Sequence, residues 1–139
     1  MFRSAALFFL AAAISLPAQS SLFGTWREPT GSTIEVTHCG GDACLKLASI
    51  SPNAPTDKDA HNPNAALRMR PLKGLQIGTG FHLHGESSAD GGKLYDPKTG
   101  KTYSGSIEAK GEKLQLRGYV GLKMFGKSET WTRVVGSSR

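Results

Sequence analysis

Three clusters of side chains in this sequence have types and spacing suited to chemistry. His82 and His84 stand two apart, so on a strand both imidazoles leave one face. Two imidazoles begin a metal site, but a third and fourth ligand must come from elsewhere, and His38 is the other histidine in a strand-like run. The pair therefore reads as rim or surface histidines, and no metal is assigned. Asp57, Asp59 and His61 alternate just ahead of Asn62, and oxygen-rich alternation of this kind can hold calcium. No glycine occupies the sharp-turn position and no bidentate glutamate follows, so the stretch reads as a solvated loop leading to a helix cap. Arg68, Arg70 and Lys73 form the third cluster. Held over a cavity mouth, their cations suit an anionic headgroup, with bidentate geometry at the guanidiniums. The competing role is to anchor the local helix to an acid such as Asp57 or Asp96. Tyr95, Tyr103, Arg117 and Tyr119 join them as candidate ligand-binding residues, since they fit either a pocket rim or plain hairpin stabilisation. No Ser-His-Asp order, nucleophile elbow, phosphate loop or usefully spaced carboxylate pair stands out, so no catalytic residue is assigned and no cofactor is expected.

The elements that must position these groups are strands. From Lys101 to Lys110, Tyr103, Gly105, Ile107 and Ala109 share one face while polar residues take the other. After the Lys110-Gly111-Glu112 turn, Leu114, Leu116, Gly118 and Val120 repeat the pattern. Tyr95-Asp96-Pro97-Lys98-Thr99-Gly100 is turn chemistry, which makes Lys93–Tyr95 the preceding strand. Near the start, Phe23 to Glu28 reads as a first strand. Ser32 to His38 follows, with Ile34, Val36 and His38 on one face, and Leu45 and Leu47 face inward after the next turn. Leu75 to His84 gives one or two strands interrupted by Gly78 and Gly80, and Ser87 to Gly92 reads as a polar loop. In the last run Trp131 and Arg133 share a face. Asn62 as cap, Pro63 at the first position and Ala65-Ala66-Leu67-Arg68-Met69 predict a helix of about two turns, ended by Pro71. The sum is an all-β chain of about eight short antiparallel strands with one short helix. Closing them into a barrel removes the exposed edges. Such a barrel is either filled by side chains or holds one small ligand.

The chain has 139 residues with a formal net charge of +6. Residues 1–18 have the form of a signal peptide: Arg3, then an apolar run, then small residues, with cleavage after Ala18 or after Ser20. The run is too short for a comfortable membrane span, so the chain is expected to be periplasmic or secreted and not membrane-spanning. Residues 21–136 make one domain with one core. The basic excess is spread along the chain without a basic-aromatic patch, which argues against nucleic acid. Cys39 and Cys44 flank a tight loop and, in an oxidising compartment, are expected to form a disulfide.

Several segments together resemble a known family. They are Gly24-x-Trp26, Cys39 with Cys44, Asn62-Pro63, Leu67-Arg68-x-Arg70-Pro71-Leu72-x-Gly74-Leu75, Gly92-Lys93-x-Tyr95-Asp96-Pro97, Gly100-Lys101-Thr102-Tyr103-Ser104, Leu116-Arg117-Gly118-Tyr119-Val120-Gly121 and Trp131-Thr132-Arg133. This order and spacing is similar to the bacterial exported proteins grouped as DUF 2147, a domain of unknown function. The resemblance implies a small lipocalin-like barrel and no established activity. Similar proteins often carry a tryptophan where this chain has the stretch Ser88-Ala89-Asp90-Gly91-Gly92. The Gly-x-Trp opening also resembles lipocalins more broadly, which implies that Arg133 covers Trp26 and closes one end, a structural role. Two functions follow as expectations. One is a non-enzymatic exported protein holding a small apolar or amphipathic ligand. The other is a filled barrel that docks on an envelope protein or anionic envelope polymer through Arg68, Arg70 and Lys73.

Overall fold

The computed structural model describes residues 4–13, 20–119, 127–134 and 136. The expected cleavage site after Ala18, and Val120 and Gly121 of the family-like segment, lie outside them. Eight antiparallel strands run up and down in chain order around a closed barrel: β1 Gly24–Arg27, β2 Thr33–Cys39, β3 Asp42–Ser49, β4 Gln76–His84, β5 Ser88–Asp96, β6 Lys101–Lys110, β7 Lys113–Tyr119 and β8 Lys127–Arg133. Each strand pairs with its neighbour in sequence, and β1 closes on β8 through Trp26↔Arg133 and Arg27↔Thr132. Among the described residues no helix is long and apolar enough to cross a membrane.

Alternation decides which residues face inward. Gly105, Ile107 and Ala109 of β6 are buried between exposed or half-buried neighbours, as are Leu114, Leu116 and Gly118 of β7. Trp131 and Arg133 are buried together on β8. His38 departs from its expected face: it is exposed at the end of β2, where its ring stacks on Phe23 at 3.7 Å. The expected Cys39–Cys44 disulfide is present across the β2–β3 hairpin. Cys39 lies opposite Asp42 and Cys44 opposite Thr37, so the bridge spans a diagonal of the ladder.

Two local expectations are corrected. The stretch 88–92 is the first half of β5, not a loop, with Ala89 and Gly92 facing inward. The predicted two-turn helix is one 3-10 turn, Ala65–Leu67, capped by Asn64, whose side chain accepts from the Ala66 amide. Asn62, expected to be that cap, is buried and donates its amide to Asp59 at 2.8 Å. A bond within the connection thus takes the side chain that the longer helix would use as its cap.

The barrel has two different ends. At one, Ser20–Phe23 crosses the opening, held by hydrogen bonds from the Leu22 amide to Glu86 O and from the Gly111 amide to Ser20 Oγ. Leu22 and Trp26 are fully buried there, and the Trp26 indole donates to Leu22 O at 2.8 Å. The Arg133 guanidinium lies 4.1 Å from the Trp26 ring centre and donates to Ser21 O and Phe23 O. The middle is filled by Phe81 of β4, which has no exposed surface. Its ring occupies space vacated by glycines on three adjacent strands. A Cβ at Gly92 would come within 2.3 Å of Phe81 Cγ, one at Gly78 within 3.1 Å of its Cε2, and one at Gly105 within 3.4 Å. The opposite end, where the β1–β2, β3–β4 and β5–β6 connections emerge, is open.

Candidate functional site: a pocket at the open end

Leu22, Trp26 and Phe81 fill the closed end and the middle, and no side chain of that size crosses the opposite end among the described residues. The open end therefore contains a pocket of about 460 Å³. Ile34 of β2, Leu47 of β3, Ile77 of β4, Leu94 of β5, Leu116 of β7 and Trp131 of β8 line its wall. All are buried hydrophobics of the core. A volume in the range typical of small-molecule sites, with a mainly apolar wall, defines a candidate binding site. The Trp131 indole N–H is buried and has no hydrogen-bond partner among the described residues. A desolvated donor of this kind costs about 1–3 kcal/mol until an acceptor reaches it.

The rim is polar and ordered by two buried acids. Glu28 follows β1 and is only 5% exposed. It accepts from the Thr30 hydroxyl and amide, from the Ser32 amide at 3.0 Å, and from Lys98 Nζ at 2.9 Å. Lys98 belongs to the β5–β6 turn, so this pair joins two loops on the rim of the pocket. Burial raises the Glu28 pKa, but the hydrogen bonds from Thr30 and Lys98 outweigh it and hold the carboxyl below its ordinary range. The sequence signal for this site was slight: hydroxyls at 30 and 32 following an acid at a Pro-Thr-Gly turn. Nothing local pointed to Lys98.

The second acid is Asp59, fully buried in the long β3–β4 connection. One carboxylate oxygen accepts from Arg70 Nε and Asn62 Nδ2, each at 2.8 Å, and the other accepts from the Tyr95 hydroxyl at 2.5 Å. Burial pushes the Asp59 pKa up, while the bonds from Tyr95, Asn62 and Arg70 bring it below the ordinary value. Burial and the same carboxylate push Tyr95 up to about 12. Reading Asp59 as part of a solvated loop is therefore overturned: it is the hub that ties residues 59–70 to β5. The loop also meets the β5–β6 turn at Gly100, whose φ is +74° and where a Cβ would lie 2.0 Å from His61 O.

The residues singled out from sequence fall in several places. Tyr95 lines the pocket. Arg70 anchors the connection through Asp59 rather than through Asp57 or Asp96. Arg68 is exposed and donates to Asn62 O at 2.8 Å, and Lys73 is exposed just after Leu72, which lines the pocket. Tyr103 packs over Gly118, with Lys127 Nζ 5.8 Å from its ring centre. Arg117 bonds Ser128 across the β7–β8 ladder on the outer face, and Tyr119 sits half-buried opposite Ser104. His82 and His84 each face an acid on a neighbouring strand, Asp42 at 3.5 Å and Asp90 at 3.0 Å. Among the described residues no three metal-ligating side chains converge.

Eight up-and-down strands, one end shut by a first-strand tryptophan under a last-strand arginine and the other holding an apolar pocket, define a lipocalin-like barrel. The chain belongs to DUF2147, a family of uncharacterized proteins conserved in bacteria, whose model matches residues 24–133. It is similar to a solved structure, protein HP1028 of the human pathogen Helicobacter pylori, described as belonging to the lipocalin family. The two share 27% identity over 81% of each chain, with a TM-score of 0.70. No curated protein matches the chain.

Proposed function

We propose that this is an exported carrier or sensor that holds a small amphipathic molecule in the open-end pocket. The observation that carries the reading is the half-filled barrel: Phe81 blocks its middle, and an apolar pocket of about 460 Å³ opens beyond it beneath a charged rim. The apolar part of the ligand rests on Ile34, Leu47, Ile77 and Leu94. Its polar part meets the rim near Lys58, Tyr95 and the Glu28–Lys98 pair. Export is supported by the leader-like residues 1–18 and by a disulfide in a bacterial family, since disulfides persist in oxidising compartments.

The test begins with native mass spectrometry of protein recovered from a bacterial host, before and after organic extraction. An extractable extra mass is the expected result. In parallel, N-phenyl-1-naphthylamine is titrated into extracted protein and competed with decane, decanol and decanoate. Binding is expected to weaken at least tenfold in Ile77→Trp, which fills the pocket, and decanol is expected to compete better than decane. Bare mass in both samples together with unchanged dye binding in Ile77→Trp would overturn the reading. Export is tested by fractionating cells expressing the full chain; retention in the cytoplasm refutes that part.

A further inference from the structure

The two ends of the barrel differ in charge as well as in packing. At the open end Glu28 pairs with Lys98 and Asp59 with Arg70. Setting those pairs aside, the described residues there leave Arg27, Lys58, Arg68, Lys73, Lys101 and Lys127 against Asp57, Asp96 and Glu129. None of these six cations takes part in an ion pair among the described residues. The closed end has the opposite balance. With Arg133 set against Glu112 at 3.9 Å, the described residues there hold Asp42, Glu86, Asp90 and Glu108 against Lys110 and Lys113, with His82 and His84 beside Asp42 and Asp90. The formal charge of the described residues is therefore bipolar along the barrel axis, with its positive pole at the open end.

A second observation falls on the same pole. Within residues 20–136, Met69 is the single large hydrophobic side chain that is strongly exposed among the described residues, at 76%. It stands between Arg68 and Arg70 at the tip of the β3–β4 connection, whose shape is fixed by the Asp59 hydrogen bonds. The connection thus projects an apolar side chain flanked by cations, on a backbone held from beneath. Cations that lie near a negatively charged bilayer, with an apolar side chain entering the headgroup layer, are the elements of peripheral membrane binding.

We propose that the open end docks on the surface of an anionic phospholipid bilayer, with Arg68, Lys73, Lys58 and Lys127 over the headgroups and Met69 at the acyl boundary. Docked this way, the pocket mouth faces the bilayer, and an amphipathic ligand passes between them with little exposure to water. The docking itself stands independently of the pocket's contents, because it is measured with no ligand added.

The experiment is co-sedimentation of the full chain with vesicles of phosphatidylcholine containing either none or a third of phosphatidylglycerol, at low and at 0.5 M salt. Two charge-reversed proteins with the same net charge are compared: Arg68→Glu/Lys73→Glu at the open end and Lys110→Glu/Lys113→Glu at the closed end. Any contribution of residues 1–18 is common to all three proteins and cancels. The wild-type chain is expected to prefer the phosphatidylglycerol vesicles and to lose that preference at high salt. The open-end variant should bind them roughly thirtyfold or more weakly, the value for two cations at a charged bilayer, while the closed-end variant stays within about threefold of wild type. Met69→Ala weakens binding by a further few-fold. Equal losses in the two reversed proteins would reduce the effect to net charge and overturn the proposal, as would the absence of any preference for phosphatidylglycerol.

Discussion

Phe81 shows how far one side chain sets the choices of its neighbours. Three glycines on adjacent strands make room for its ring, with Gly92 the tightest. Gly92→Ala is expected to cost about 1–3 kcal/mol or more, the usual range for an overpacked core. Phe81→Ala is expected to cost about 3–5 kcal/mol through the cavity it leaves. The two should be strongly coupled: in a Phe81→Leu background the Gly92→Ala penalty shrinks, which urea unfolding of the four proteins would measure as a double-mutant cycle. Asp59 is the other residue whose loss propagates. Asp59→Asn keeps the shape but removes a buried charge from the Arg70 and Tyr95 bonds, and a loss on the order of 3 kcal/mol is expected.

At the level of elements, strands with strict alternation were legible. β6, β7 and β8 have inward residues where the two-residue period puts them. The first half of β5 was not legible, because Asp90-Gly91-Gly92 carries no apolar alternation; its inward partner, Phe81, comes from β4, and that pairing is written in no single stretch. The 62–70 segment failed for the reverse reason. Its helix formers are genuine, but Asn62 and Arg70 are committed to Asp59, and propensity alone does not see that the carboxylate just ahead of the segment is buried and draws both of them. The pocket was half legible: alternation put Ile34, Leu47 and Leu116 on inward faces, and only the fold shows them lining a space left open. Glu28 was not legible as a rim acid, since its partner is 70 residues away. The β2–β3 hairpin gives a modest prediction. Cys39→Ser/Cys44→Ser removes a bridge across a short loop, and a loss of about 2 kcal/mol or less is expected in chemical unfolding. Dye binding at the opposite end should be unchanged.

For the whole molecule, the two buried acids set the response to pH. Glu28 and Asp59 lie below their ordinary values of 4.5 and 3.8. A group whose pKa is depressed by folding contributes stability above its unfolded value and loses it as pH falls through its folded value. Stability is therefore expected to hold from neutral pH down to about 4.5 and to decline below it, and Asp59→Asn should flatten the lower part of that decline. Tyr95 has the opposite sign. Raised to about 12, it contributes stability below pH 10 that is lost as pH rises through 12, and Tyr95→Phe should remove this alkaline limb. Thermal midpoints across the pH range check both. Acid loosening of Glu28 and Asp59 would act on the loops around the pocket mouth, so dye release should accompany the first part of the acid transition.

The chain enters the barrel through Ser20–Phe23, drawn across the closed end, and leaves β8 at Arg133 on that same end. Both attachment points therefore lie behind the molecule, a barrel length from the mouth. A fluorescent protein, an affinity tag or a sensor-chip linkage fused at either side would leave the pocket and its basic collar facing outward. The same proximity suits a circular permutation in which a short linker joins β8 to β1 and new ends are cut in the Lys110-Gly111-Glu112 turn.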